Sequence, residues 1–203
     1  MRSLVHMRHI VLLGDSILDN AAYVRGGPDV VAQLRDRLPP GDRATLLAVD
    51  GAVTADVARQ LARLPADATD LVLSVGGNDA LGHVGLLQRR AQHGAEVLEW
   101  FDAAVAAFAD DYRRLVDALA RRGPSATVCT IYEGQLEPAM RRPARAALAI
   151  FNDAIQRAAR AAALPVIELR DVCTEPADYA NPIEPSVQGG AKIAAAIVRQ
   201  VLA

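Results

Sequence analysis

The sequence predicts a three-layer α/β fold, with helices on both faces of a five-stranded parallel sheet. Short apolar segments and amphipathic segments alternate five times along the chain, which is the order in which crossover helices build a parallel sheet. Each of the first three apolar segments also ends in a polar cluster that contains glycine. Parallel strands bring such clusters to one edge of the sheet, where open α/β folds place their chemistry. The clusters are Gly14-Asp15-Ser16, Asp50-Gly51 and Gly76-Gly77-Asn78-Asp79.

The strands are predicted where short apolar runs are bounded by glycine, proline or polar residues. The helices are predicted where apolar residues recur at helical spacing and a proline or glycine ends the pattern. A long connection, 80–94, is predicted before the longest helix, whose apolar stripe begins with Leu98 and Phe101. The predicted strands are 10–13, 44–49, 70–75, 126–131 and 164–169, and the predicted helices are 30–38, 54–64, 95–122, 144–163 and 187–202.

Length and composition indicate one domain, residues 1–203, with 52% hydrophobic residues to form its core. The net charge of −2 gives no reason to expect a nucleic-acid partner. No run approaches the roughly 18 apolar residues of a membrane span, and the apolar run 10–13 is too short for a signal peptide. We therefore expect a cytoplasmic protein, in which Cys129 is a core residue and forms no disulfide with Cys173. The oligomeric state is left open.

The turn Gly14-Asp15-Ser16 is the first candidate for chemistry. Glycine permits a tight bend at the end of the first strand, and Asp15 can hold the bend by accepting a hydrogen bond from the backbone beyond it. Ser16 then stands at the carboxyl end of a strand, as a nucleophile would be presented. Taken alone, the tripeptide is equally typical of an ordinary turn.

The other two clusters favour acyl transfer at Ser16. The tetrahedral intermediate of that reaction carries an oxyanion, which needs hydrogen-bond donors held in place beforehand. The candidates are the backbone N–H groups of Ser16 and Gly51 and the side-chain amide of Asn78. Asp15, Asp79 and Glu184 could also gather oxygen ligands at this edge, but turn-holding roles are favoured for the two aspartates. No metal or cofactor is predicted, and the expected partner is a small ester or acyl substrate.

These blocks resemble the SGNH hydrolase superfamily, also called GDSL esterases/lipases. The segment 14–18 is similar to its first block, Gly51 to the second-block glycine and 76–79 to the third block, and 183–189 resembles the block that introduces the last helix. The resemblance implies a flavodoxin-like sheet and hydrolysis of an ester or related acyl substrate. It also implies Ser16 as nucleophile, with Ser16, Gly51 and Asn78 forming the oxyanion hole.

The last block departs from the family pattern, in which Asp-x-x-His-Pro supplies a histidine base and the aspartate that orients it. The same register reads Asn181-Pro182-Ile183-Glu184-Pro185 here, so Glu184 stands in place of the histidine and Asn181 in place of the aspartate. The two replacements fit each other, since an asparagine amide can donate a hydrogen bond to a carboxylate that an aspartate would repel.

The sequence leaves open what activates Ser16. Glu184 would serve as a base if burial, and repulsion from Asp15, raised its pKa towards neutrality. His83, in the long connection after Asn78, could fold over the site. A third alternative is that nothing activates Ser16 and the chain only binds a ligand, and a fourth is that Glu184 activates water directly.

Overall fold

The structure, a computed structural model, describes residues 7–203. The strands are β1 (His9–Gly14), β2 (Arg43–Leu46), β3 (Asp70–Ser74), β4 (Ser125–Cys129) and β5 (Val166–Ile167). They form one parallel sheet in the order β2-β1-β3-β4-β5, and helices cover both faces. The predicted three-layer fold, with its flavodoxin-like sheet, is therefore confirmed.

Two apolar cores flank the sheet because successive side chains of a strand point to opposite faces. The helices are α1 (Val30–Arg35), α2 (Val57–Leu61), α3 (Gly77–Leu81), α4 (Gly94–Ala120), α5 (Pro138–Ala161), α6 (Leu169–Val172) and α7 (Val187–Val201), and short 3-10 turns span Ala21–Tyr23, Thr54–Asp56, Val84–Gln88 and Pro176–Asp178. In β1, Val11 and Leu13 pack with α2, α4 and α5, whereas Ile10 and Leu12 pack with α1, α6 and α7.

The strand ends differ most from the prediction at β2 and β5. β2 stops at Leu46 because the next two N–H groups, those of Leu47 and Ala48, both donate to the Leu12 carbonyl and the chain leaves the ladder. β5 has two residues instead of six, and its predicted first residues include Pro165, which has no N–H for a ladder.

The helices also differ in detail. The connection 80–94 contains the end of α3 and a 3-10 turn, and α5 begins six residues before the predicted start, with Pro138 in its first turn, where proline is favoured. The apolar stripe of α4 does not include Leu98, which is 66% exposed, whereas Phe101 is 5% exposed. Val97 packs against the core in its stead.

Cys129 and Cys173 are free cysteines, and both are buried, although burial was predicted for Cys129 alone. Cys129 lies in the core between the sheet and the α1 and α7 helices. Within 7–203, none of the helices is both long and apolar enough to cross a membrane.

Candidate active site

The bend that presents Ser16 is fixed by its backbone. Gly14 has φ +125°, and a Cβ at this position would lie 1.7 Å from the carbonyl oxygen of Ser74, so only glycine fits. The next N–H, that of Asp15, donates to the same Ser74 oxygen at 3.0 Å. The Asp15 carboxyl oxygen Oδ1 accepts from the Ile17 N–H at 3.1 Å, which confirms the predicted turn-holding role of Asp15.

A buried glutamine clamps the same turn from α2. The Gln60 side chain accepts from the Gly14 N–H at 2.7 Å and donates to the Gly14 carbonyl at 2.8 Å. Gln60 was not among the residues predicted for the site. The signal was present, because Gln60 occupies the apolar face of its helix together with Val57 and Leu61, all of which are buried.

Ser16 and Glu184 meet at the carboxyl edge of the sheet. The Ser16 hydroxyl donates to Glu184 Oε1 at 3.1 Å, and both residues are 6% exposed. The second carboxylate oxygen, Oε2, is buried and accepts no hydrogen bond from the described residues. Burial, together with the charge of Asp50, raises the pKa of Glu184 above its usual range. Its carboxylate is therefore a stronger base than one in water.

The segment before α7 sets the position of Glu184. The Asn181 side-chain oxygen accepts from the backbone N–H groups of Ile183 and Glu184, both at 2.9 Å. The prediction that the Asn181 amide donates to the Glu184 carboxylate was wrong. An asparagine side chain two or three residues upstream more readily closes a local turn with the backbone, and no amide-to-carboxylate bond joins the pair within 7–203.

Two buried polar residues hold this segment to the rest of the fold. Asn20, on the loop after Ser16, donates to the Pro185 carbonyl at 3.1 Å and accepts from the Val30 N–H at 2.9 Å. Asp178 accepts from the Lys192 ammonium at 2.8 Å, and its carbonyl accepts from the Ser186 N–H at 2.8 Å. The segment that carries Glu184 is therefore held on both sides, at Asp178 and at Pro185.

The three predicted oxyanion donors are only partly brought together. Ser16 and Asn78 line one cavity, whereas Gly51, with φ +80°, is exposed and lines a neighbouring one. The Asn78 amide connects the two, because it donates to the carbonyl of Ala52 at 3.0 Å. Among the described residues, the backbone N–H groups of Ser16 and Gly51 donate to no protein acceptor. Both remain free for a ligand.

The carboxylates around Ser16 do not form a metal site. Burial, reinforced by the charges of Glu184 and Asp79, raises the pKa of Asp15 to about 8, so Asp15 is largely protonated at neutral pH. Asp79 accepts from the Thr54 N–H at 3.0 Å, and this bond joins the polar cluster after β3 to the 3-10 turn that begins at Thr54. Burial raises the pKa of Asp79. In the part of the chain that the structure describes, no group of three His, Cys, Asp or Glu residues is arranged to hold a metal ion.

His83 lines the same cavity as Ser16 but has a different neighbour. Its ring lies 6.1 Å from the ring of Phe151, and within 7–203 it makes no hydrogen bond to Ser16. The contact places His83 against the apolar wall of the cavity.

Comparison with known proteins gives one family and one fold. The model of the GDSL-like lipase/acylhydrolase family matches residues 12–191. The solved structure of an extracellular lipase from Streptomyces rimosus superposes with a TM-score of 0.71 at 18% identity, over 95% of this chain and 99% of that one. Phospholipase A1 from Streptomyces albidoflavus gives a TM-score of 0.74 at 16% identity, over 96% and 100% of the two chains. A psychrotrophic esterase from Pseudoalteromonas gives 0.67 at 14% identity, over 96% and 97%. No curated protein sequence matches the chain.

Proposed function

The chain belongs to the GDSL-like lipase/acylhydrolase family, and from this premise we propose that it hydrolyses esters of a small acyl substrate with Ser16 as nucleophile and Glu184 as base. Family and fold support ester hydrolysis in general. The observation that carries the specific assignment is the 3.1 Å hydrogen bond from the Ser16 hydroxyl to Glu184 Oε1. A nucleophile within hydrogen-bond reach of a base is the arrangement that acyl transfer requires.

In the proposed first step, Ser16 Oγ attacks the ester carbonyl carbon while its proton passes to Glu184. The carbonyl electron pair moves onto oxygen and forms the tetrahedral oxyanion. Collapse of this intermediate breaks the bond to the alkoxy group, which takes the proton from Glu184 and leaves as an alcohol. Water then gives a proton to Glu184 and attacks the acyl carbon. Release of the carboxylic acid returns the proton to Ser16 Oγ.

The raised pKa of Glu184 supports its role as the base. The ordinary pKa of a carboxylic acid is far below the pKa of a serine hydroxyl, so proton transfer from serine to a carboxylate is strongly unfavourable. Burial narrows that difference by disfavouring the charged form. Asn181 supports the same role through the backbone, since its side chain fixes the turn that carries Glu184.

We assign the oxyanion hole to the backbone N–H groups of Ser16 and Gly51 and the side-chain amide of Asn78. The two unused N–H groups support this assignment. One amide proton of Asn78 remains for a ligand after the bond to Ala52. Gly51 is the least supported donor, because it lies outside the lining of the cavity that holds Ser16.

The test is covalent labelling by a fluorophosphonate probe together with hydrolysis of a short-chain nitrophenyl ester. The Pseudoalteromonas esterase was solved with monoethylphosphonate as its inhibitor, a reagent of related chemistry. We expect labelling and turnover in the wild type, loss of both in Ser16→Ala, loss of turnover in Glu184→Gln, and retention of both in His83→Ala.

Three results would contradict the proposal in different ways. Absence of both signals from the wild type, with activity gained in Glu184→His, would make the chain a ligand-binding relative. Turnover that survives in Ser16→Ala but is lost in Glu184→Gln would mean that Glu184 activates water directly. Loss of turnover in His83→Ala, with the fold intact, would show that His83 acts as the base in place of Glu184.

Two further expectations stay predictions. One is that residues 1–203 form a single domain, and the other is that the protein is cytoplasmic. Fractionation of cells that express the tagged chain tests the second.

A further inference from the structure

A cavity of about 350 Å³ opens beside Ser16. Its polar end holds Asp15, Ser16, Asn78 and Glu184, whereas most of the remaining wall is apolar. On α5 the lining residues recur at intervals of three and four positions, so one face of this helix forms a wall. These residues are Met140, Ala144, Ala147, Leu148 and Phe151.

The cavity is closed at one side and open at the other. Phe101 and Phe151 are buried lining residues, and the Phe151 ring packs 5.1 Å from that of Phe108 in the core. At the rim, Leu81 and Val84 are 42% and 43% exposed. Large apolar side chains exposed beside a cavity indicate a place where an apolar ligand enters.

The charges of the lining select against an acidic ligand. No lysine or arginine is among the described residues that line the cavity, and its acidic residues are Asp15, Glu133 and Glu184. A carboxylate or phosphate in the apolar part would be desolvated without a cationic partner, which is costly. The group that fills this part is therefore uncharged.

The volume of the cavity sets how many carbon atoms of this uncharged group it can enclose. Benzene fits an engineered cavity of about 150 Å³, which corresponds to ~25 Å³ for each carbon. At that density the 350 Å³ here would hold about fourteen carbons if completely filled. The ester group occupies the polar end, so about eight to twelve carbons remain for a chain that fills most of the cavity.

We infer that the cavity between α5, the 3-10 turn Val84–Gln88 and the end of β3 binds the acyl part of the substrate, an uncharged medium-length alkyl chain, with its carboxyl carbon at Ser16. The inference rests on the proposed function for the reaction itself. It adds the chemical class of the acyl group and assigns α5 as the element that determines chain length.

The first experiment compares nitrophenyl esters from acetate to palmitate. We expect kcat/KM to be highest for octanoate to dodecanoate, with hemisuccinate esters turned over at least about tenfold more slowly than butyrate. Ala147→Phe, on the cavity face of α5, should move the optimum to butyrate or shorter. Ala149→Phe is the matched control, because Ala149 is exposed and does not line the cavity, and it should leave the optimum unchanged. Ala147→Leu provides a smaller obstruction if the phenylalanine variant does not fold.

A binding measurement separates this inference from the proposed reaction. We expect 1-decanol to raise the Tm of the Ser16→Ala protein, and to do so less in the Ser16→Ala/Ala147→Phe double variant. Binding of 1-decanol without hydrolysis of any ester would overturn the proposed function and leave the cavity assignment standing. A flat chain-length profile, or an optimum that Ala147→Phe and Ala149→Phe move equally, would overturn the cavity assignment even if esters are hydrolysed.

Discussion

Ser16 and Glu184 lie 168 positions apart in the chain and are joined by a hydrogen bond of 3.1 Å between two side chains that are almost completely buried. One residue stands on the turn after β1 and the other on the segment before α7. The bond therefore depends on how both segments are held, and a change at either anchor should alter reactivity before it unfolds the protein.

The pH dependence of turnover should report Glu184. A base must be ionised, and the pKa of Glu184 is raised above its ordinary 4.5, so kcat/KM should fall at acid pH with a midpoint above that value. The midpoint should be the same in His83→Ala. An acid limb that disappears in His83→Ala would identify His83 as the base instead.

The glycine turns and the register of the last block were enough to predict that Ser16 and Glu184 share an edge of the sheet. The helix layers on both faces of the sheet were also predictable, because apolar periodicity records which face of each element is buried. The flavodoxin-like sheet was expected from the family resemblance. Gln60, Asn20 and Asn152 were not predicted as anchors. Each forms hydrogen bonds with backbone groups that are distant in sequence. No local sequence pattern shows which backbone group a buried side-chain amide will bind.

The Asn181 contact was missed for a related reason. Residue types alone suggested an amide donating to a carboxylate, but the Asn181 side-chain oxygen accepts from two backbone N–H groups of its own turn. The short helix α3 was missed because its sequence, Gly77 to Leu81, begins with turn residues. The backbone after β3 nevertheless closes a helical turn there.

Asp15 should make the protein less stable as the pH rises. Its carboxyl has an ordinary pKa of 3.8 in the unfolded chain and about 8 when folded, so the folded state binds more protons between these values. Stability is therefore greatest at acid pH for this group and declines from about pH 4 to pH 8.

Asp15→Asn should flatten that decline, because asparagine can still accept from the Ile17 N–H and has no charge to bury. The free energy of unfolding, measured with urea at several pH values, should favour the variant by several kcal/mol near pH 8, at most about 5. The advantage should vanish near pH 4. Equal slopes in the two proteins would show that Asp15 ionises freely in the fold.

Gly14→Ala should prevent folding or lower the Tm severely. Its Cβ would lie 1.7 Å from the Ser74 carbonyl oxygen in a backbone conformation with φ +125°, and we expect a loss of more than about 4 kcal/mol. Gly26→Ala is the matched control, because Gly26 also has a positive φ but no atom within 4 Å of its Cβ. That variant should lose only about 1–2 kcal/mol. Similar losses in chemical denaturation would show that steric contact with Ser74 contributes little.

Asn20→Ala should reduce reactivity more than its effect on stability explains. Asn20 is a positioning residue, since its amide holds the Pro185 carbonyl next to Glu184 while its oxygen holds the Val30 N–H. Loss of both bonds leaves two backbone groups unpaired and should cost about 2–4 kcal/mol in the free energy of unfolding. Asn152→Ala is the matched control, because Asn152 is also almost completely buried and makes two backbone bonds, both to Ile131, which is not on the segment that carries Glu184. The two variants should lose similar stability, but only Asn20→Ala should slow fluorophosphonate labelling and shift the acid limb of kcat/KM. Equal labelling rates in the two variants would mean that Asn20 only stabilises the fold and that Glu184 keeps its place against Ser16 without the bond to Pro185.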